Sequence, residues 1–347
     1  MSRVGSPGSA PDVGVIGYLL GGGIGPLASS FGFSSDHVRS FDVVTPADGA
    51  ITVSEDDHQD LYWAMRGGKG GFGVVTSVVL HLGDVSHVYG GGLYFAAEDA
   101  SAVLRAYSAW APALPESSTT SIALLRLPMS DAVPDEIRGR HVAHVRFAGL
   151  DADAVAEAQL AELRAVAEPL LDTTGVLPYE ELGTIHGDPT APMSCVNGTV
   201  SLHSLGGDTV DAVLAAADLG ADLPLSSVEI RTFGPAARRV LPEDDAVGGR
   251  SAAHLLNAYA APTLGDGARI QAARAVLDAV APWRAPVNLI NFVGRANAAD
   301  AVERSWTPEQ NDRLDSIRGV HDPAGLFPYA RHGAVASTAG APDGRAR

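Results

Sequence analysis

Two glycine-rich stretches carry the most legible chemistry of this 347-residue chain. One runs Gly14-Val-Ile-Gly-Tyr-Leu-Leu-Gly-Gly-Gly-Ile-Gly-Pro-Leu-Ala28, the other Arg66-Gly-Gly-Lys-Gly-Gly-Phe-Gly73. Glycines concentrate like this where the backbone takes positive φ or approaches a ligand closely, and successive free N–H groups then form a concavity that suits phosphate. The expected chemistry is capture of a nucleotide cofactor through its pyrophosphate. Gly23-x-Gly25-x-x-Ala28 also matches the dinucleotide fingerprint, with Asp42 or Asp48 as a ribose ligand, which would make an NAD-binding dehydrogenase. Its context is wrong, because a βαβ unit needs a crossover of roughly ten residues or more. Pro26 to Phe31 is too short for one, and a hairpin follows. The plain alternative is that the glycines serve only tight turns and close packing.

Other constellations are weaker. Among eleven histidines, His141 and His144 lie three apart on an expected strand, so they leave opposite faces and no metal site is expected. The sequence has no Gly-x-Ser-x-Gly elbow and no P-loop, which leaves hydrolase and NTPase chemistry without a carrier. Glu229 and Arg231 alternate onto one strand face. They suit a base and an anchor in a substrate pocket, but a cross-strand ion pair is the favoured reading. Tyr259 and Asn291 fall on other inner strands, where buried, hydrogen-bonded roles are expected. Trp63 and Trp110 should pack in the core. Cys195 is the only cysteine, so no intramolecular disulfide forms, and it reads as a small buried hydrophobe.

The elements that position these residues follow from periodicity. Val38 to Thr45 and Ala50 to Ser54 flank Pro46-Ala-Asp-Gly49 as a hairpin. Asp57 to Met65 is an N-capped helix stopped by Gly67, and Val74 to Leu82 is a β-branched strand. Beyond Val88, expected helices are Glu98 to Trp110, Ala152 to Leu170, Thr209 to Leu219, Ala268 to Val280 and Pro308 to Val320. Expected strands are Ser121 to Leu127, His141 to Phe147, Cys195 to Leu202, Ser227 to Phe233, Ala253 to Ala260 and Pro286 to Val293. Strands outnumber simple βαβ alternation, which points to an α+β sheet with helices on one face.

Bulk properties bound the partners. The length suggests two or three structural units. With 24 basic against 41 acidic residues, the formal charge is −17, and no basic cluster provides a phosphate-backbone footprint. Nucleic acid and membrane are therefore poor partners, and a small-molecule substrate is the expectation. Glycines interrupt the longest apolar run, and no secretory signal is visible, so a cytoplasmic location is expected. The tail from Gly333 reads as disordered.

The run Gly8-Ser-Ala-Pro-Asp-Val-Gly14 continuing through Gly25 is followed in order by Phe31-Gly, Asp36-His-Val, Val43-Val-Thr, Asp48-Gly, Asp60-Leu-Tyr-Trp-Ala-Met-Arg-Gly-Gly and Phe72-Gly-Val-Val-Thr. This series resembles the second FAD subdomain of berberine-bridge-enzyme-like flavoproteins, in the vanillyl-alcohol-oxidase superfamily. Near the other end, Val287-Asn-Leu-Ile-Asn-Phe-Val-Gly294, Asn311-Asp-Arg-Leu314, Ile317-Arg and His321-Asp-Pro-Ala-Gly-Leu-Phe327 resemble that family's closing strand, helix and Asp-Pro turn. Gly234-Pro-Ala stands where the family usually has a Gly-Gly-Ala turn.

The resemblance implies an α+β chain: the second subdomain of a PCMH-type FAD-binding fold, then a substrate domain with an antiparallel sheet, then a segment returning to the FAD domain. The implied bounds are 1–86, 87–305 and 306–332, with 333–347 as the tail. FAD would lie extended, with the backbone of Val13, Gly14, Gly21, Gly22, Gly23 and Gly25 near its pyrophosphate and flavin. Gly73, Val74 and Val75 would lie by its adenosine end. The implied reaction is hydride transfer from an organic substrate to flavin N5, in an oxidase or dehydrogenase.

The chain also departs from the family pattern. The first FAD subdomain, with its Gly-Gly-His-type loop and flavin-attaching histidine, has no counterpart. The expectation is a start placed inside a longer flavoprotein, leaving a flavin-facing surface exposed. The alternative is a non-catalytic or partner-dependent remnant of the fold. Ala10 stands where some members attach flavin through cysteine, so FAD is non-covalent there. Leu289 and Ala330 replace a tyrosine and an asparagine common in the family, so no catalytic residue is assigned.

Overall fold

A computed structural model describes residues 3–327 except 6, 11, 189–193, 222, 240–244 and 262–264. The expected tail and Ala330 lie outside the described residues. In chain order, β1 (Arg3–Val4), α1 (Val15–Leu20) and α2 (Ala28–Phe31) lead into β2 (Val38–Thr45), β3 (Gly49–Ser54), α3 (Gln59–Met65), β4 (Val74–Leu80) and β5 (Gly83–Asp84). β2 is the centre of a three-stranded antiparallel sheet ordered β3-β2-β4, and β5 pairs with β1.

The hairpin forms as its sequence dictates. Val38, Phe41, Val43 and Thr45 are buried while Arg39, Asp42 and Val44 face out, with register shifts against β4 that restore the inward phase. In the turn, Asp48 N–H donates to Thr45 Oγ1 at 2.9 Å, and Gly49 takes φ +73°. Under this sheet, Phe41, Val43 and Val53 pack with Leu61, Trp63 and Met65 of α3. α3 lacks the expected side-chain cap, because its N-cap residue is His58 in the left-handed region.

The second layer is an eight-stranded antiparallel sheet. Its strands are β6 (His87–Ala96), β7 (Ser118–Arg126), β8 (His141–Gly149), β9 (Leu171–Asp172), β10 (Gly175–Pro178), β11 (Val196–Leu202), β12 (Leu225–Thr232) and β13 (His254–Ala260). The order is β10-β6-β8-β7-β12-β13-β11, with β9 paired to β6. Helices α4 (Ala100–Trp110), α5 (Asp153–Arg164), α6 (Gly207–Ala217) and α7 (Asp266–Ala279) build one core with it. In α4 the buried residues Ala100, Val103, Leu104, Tyr107 and Trp110 repeat at helical spacing. They meet alternate strand residues such as Ile122, Val145, Val228, Ile230 and Leu256.

Helix α8 (Pro308–His321) then returns to the first layer, where Leu314 and Ile317 join its core. It begins in a capping box: Gln310 N–H donates to Thr307 Oγ1 at 3.2 Å, and Thr307 N–H donates to Gln310 Oε1 at 3.1 Å. Trp306 Nε1 donates to the Ala246 carbonyl at 2.9 Å, and Arg318 Nη2 to the Gly68 carbonyl at 3.0 Å.

Pro286 to Val293 is not a strand; its only regular element is a 3-10 turn at Ile290–Phe292, which folds toward α1. β6 is not legible from the sequence, because Gly90, Gly91 and Gly92 break its alternation. Gly91 sits at φ +137° and admits a neighbouring segment, because a Cβ there would collide with Thr173 and Thr174 backbone.

Candidate active site

The sheet face turned away from the helices forms the floor of a cavity of about 1510 Å³. Its opposite wall is formed by Gly8, Ser9, Ala10, Val13, Gly14, Gly17, Tyr18 and Lys69, and Asn291 and Phe292 close one side. Because Val228 and Ile230 point into the helix-side core, Glu229 and Arg231 must point the other way. The same parity puts His144 and Arg146 of β8, and Tyr259 of β13, on the cavity face.

Cross-strand register assembles these residues. Arg146, Ser121 and Arg231 form one row across β8, β7 and β12, and His144, Ala123, Glu229 and Asn257 form the next. Ser121 and Ala123 are short, so the arginines reach across them. Arg146 Nη1 donates to Glu229 Oε1 at 2.6 Å, and Arg231 Nε lies 3.1 Å from Glu229 Oε2. Arg146 Nε also donates to His144 Nδ1 at 3.2 Å, and Arg231 Nη2 to Ser9 Oγ at 3.2 Å. The ion pair foreseen for Glu229 and Arg231 is thus a triad, whose third member, Arg146, no local pattern announces.

Burial pushes the Glu229 carboxyl upward, but the guanidiniums of Arg231 and Arg146 outweigh that and hold it below the usual carboxylate range. His144 and His186 are held well below the ordinary imidazole value, first by burial and then by Arg146. Both are neutral near pH 7. Burial raises Tyr18 to about 12 and also raises Tyr259, so both phenols stay protonated.

On the opposite wall, Lys69 holds φ +66° within its glycine run. Its ammonium donates to the Gly17 carbonyl at 2.8 Å and to Asn291 Oδ1, and burial lowers its pKa. Asn291 in turn donates to the Tyr18 carbonyl at 2.9 Å. Asn291 therefore ties the closing segment to α1 from a turn, not from a strand.

The glycine-motif residues are distributed unevenly. Val13 and Gly14 are exposed and line the cavity, as does Ala10. Gly17 also lines it, with open space where a Cβ would stand. Gly21, Gly22, Gly23 and Gly25 are buried. A Cβ on Gly21 would strike the Asn291 amide, one on Gly22 would press Phe33 and Val247, one on Gly23 the Tyr18 ring, and one on Gly25 the Pro7 carbonyl. Gly22 and Gly23 have φ of +95° and +75°. Gly73 packs against the Val44 carbonyl, Val74 is exposed and Val75 is half-buried. None of these three lines the cavity. Contrary to expectation, Cys195 is exposed on the cavity wall, just before the first paired residue of β11.

No βαβ unit follows the Gly23-x-Gly25 match: a helix, α1, precedes it and the β2–β3 hairpin follows. Among the described residues, no three His, Cys, Asp or Glu side chains gather as a metal needs, and no helix is long and apolar enough to cross a membrane.

No family model matches the sequence. Over 121 residues the chain is 39% identical to the FAD-linked oxidoreductase azaG of Aspergillus niger, covering 33% of this chain and 25% of that protein. Over 192 residues it is 29% identical to (R)-6-hydroxynicotine oxidase of Paenarthrobacter nicotinovorans, covering 52% of this chain and 38% of that protein. The chain thus matches well under half the length of these curated relatives. In structure it superposes on BBE-like 1 of Physcomitrella patens with a TM-score of 0.77 at 17% identity, over 95% of this chain and 72% of the other. The resemblance read from the motifs is borne out: the sequence matches are FAD-linked oxidoreductases, and the fold is that of berberine-bridge-enzyme-like flavoproteins.

Proposed function

We propose, from a fold held in common with berberine-bridge-enzyme-like flavoproteins, that this chain acts as an FAD-dependent oxidoreductase on a small organic molecule. The observation that carries the reading is the cavity, with exposed Val13 and the open space beside Gly14 and Gly17 on one wall and a polar sheet floor on the other. Its volume suits a large cofactor beside a small substrate. The residues fit the group where glycine leaves room, at Gly14 and Gly17. Val13 and Gly14 would hold FAD by main-chain contacts, with no covalent link at Ala10. Gly21, Gly22, Gly23 and Gly25 would support that wall from behind, and Gly73, Val74 and Val75 would receive the adenosine end.

Bound FAD supplies a hydride acceptor at flavin N5. The chain's own residues supply placement. Glu229, ionised and engaged by two guanidiniums, orients Arg146 and Arg231 and is not available as a base. Lys69 and Asn291 lock α1 to the closing turn and so fix the cofactor-side wall. Phe292, with Arg231 5.3 Å from its ring centroid, helps to hold that guanidinium in place.

Titration of the purified full chain with FAD tests this reading. Saturable binding with a perturbed visible flavin spectrum is expected. Folded, colourless protein that ignores added FAD overturns it.

A further inference from the structure

We propose that Arg146 and Arg231 form an anion subsite on the sheet floor, and that the molecule oxidised at this site carries a carboxylate, which they seat. The inference deepens the function proposed above and rests on it.

The chain has a formal charge of −17, yet this floor buries two guanidiniums around one carboxylate. Within ion-pair distance one positive charge is left over, in a place where desolvation is costly. Neutral His144 and His186 do not change that sum. Asp188, half-buried on the cavity wall, makes no ion pair within 4 Å among the described residues, although its charge still acts on Arg231 at longer range.

Hydrogen-bonding capacity is left over too. Arg146 donates through Nη1 and Nε and Arg231 through Nη2, while Arg231 Nε lies within ion-pair distance of Glu229 but is buried without a hydrogen-bond partner. The remaining terminal nitrogen of each has no partner among the described residues. Ser121 Oγ, between them in the row, is buried without a partner. All three residues line a hollow of about 20 Å³, and the two arginines line the main cavity as well. Unspent donors around one space, on a positively charged cluster, match a planar oxyanion. The diphosphate of the cofactor is the other source of such oxygens, since Arg231 also touches Ser9 of the facing wall.

Calorimetric titration of the full chain with benzoate, its neutral analogue benzamide and ADP separates the sources. Benzoate is expected to bind about tenfold or more tightly than benzamide. Arg231→Gln and Arg146→Gln should each lose that preference and leave ADP binding unchanged. Equal binding of benzoate and benzamide, or no benzoate binding, overturns the proposal. So does an Arg231→Gln variant that weakens ADP while ADP displaces benzoate, which assigns the subsite to the cofactor. The comparison on the unaltered chain stands even where a variant fails to fold. A chain that takes up FAD without preferring benzoate overturns only the subsite. A chain that prefers benzoate but ignores FAD overturns the oxidoreductase reading.

Discussion

Arg146 and Arg231 sit two strands apart in one row of the large sheet, and both lean on Glu229 in the next. A single carboxylate therefore determines where two guanidiniums stand. Removing that carboxylate would leave both guanidiniums without their ion-pair partner.

Glu229→Gln should destabilise the fold by about 3–5 kcal/mol near pH 7, because two buried guanidiniums lose their counter-charge. The carboxyl is held below its unfolded value, so its contribution is present above that value and disappears as pH falls through the folded one. Denaturant unfolding of both proteins should show the gap narrowing below about pH 4. A gap independent of pH contradicts the assignment.

Acid sensitivity should begin earlier than carboxylates alone require. Burial holds His254 down to about 4 and places His144 and His186 well below the ordinary value. Each binds its proton more readily when unfolded, so stability is full above about pH 6.5 and falls as pH drops toward 4. His254→Gln removes one such group but also its contact with Thr232 Oγ1, at 3.1 Å. The variant should be weaker at neutral pH, with a shallower loss between those limits.

Gly21→Ala should cost about 1–3 kcal/mol, the range for forcing extra atoms into packed structure. The new methyl displaces the Asn291 amide and, through it, the Lys69 ammonium. Thermal unfolding reads the first effect. Weaker FAD uptake by protein that remains folded reads the second.

Thr307→Ala should cost about 1 kcal/mol by removing the α8 cap, with FAD affinity unchanged. Urea unfolding beside an FAD titration checks both halves of that statement.

The hairpin and the five longer helices are legible because their apolar residues repeat with a local period, and the strand after Gly73 because its residues are mostly β-branched. The extended reading of Pro286 to Val293 fails because that segment makes contacts to Lys69, Tyr18 and Arg231 that no local window contains. At the site, the i, i+2 spacing of Glu229 and Arg231 was visible. Arg146 was not, since its link to Glu229 exists only through the pairing of β8 with β7 and β7 with β12. The one available hint was the shortness of Ser121 and Ala123 on the strand between. Glycine density pointed to a ligand, yet Gly22 and Gly23 also answer backbone demands of their own, and sequence alone does not separate the two uses.

Helix α8 lies against α3, with Leu314 and Ile317 beside Leu61 and Trp63 in one apolar cluster. On the ribosome, the hairpin and α3 emerge long before that helix, and the whole large sheet is synthesised in between. The early segment must wait with part of its greasy underside bare, which is when association with other nascent chains or chaperones is most probable. Translation speed and chaperone supply should therefore govern the yield of folded protein more strongly than the intrinsic propensities of its opening strands.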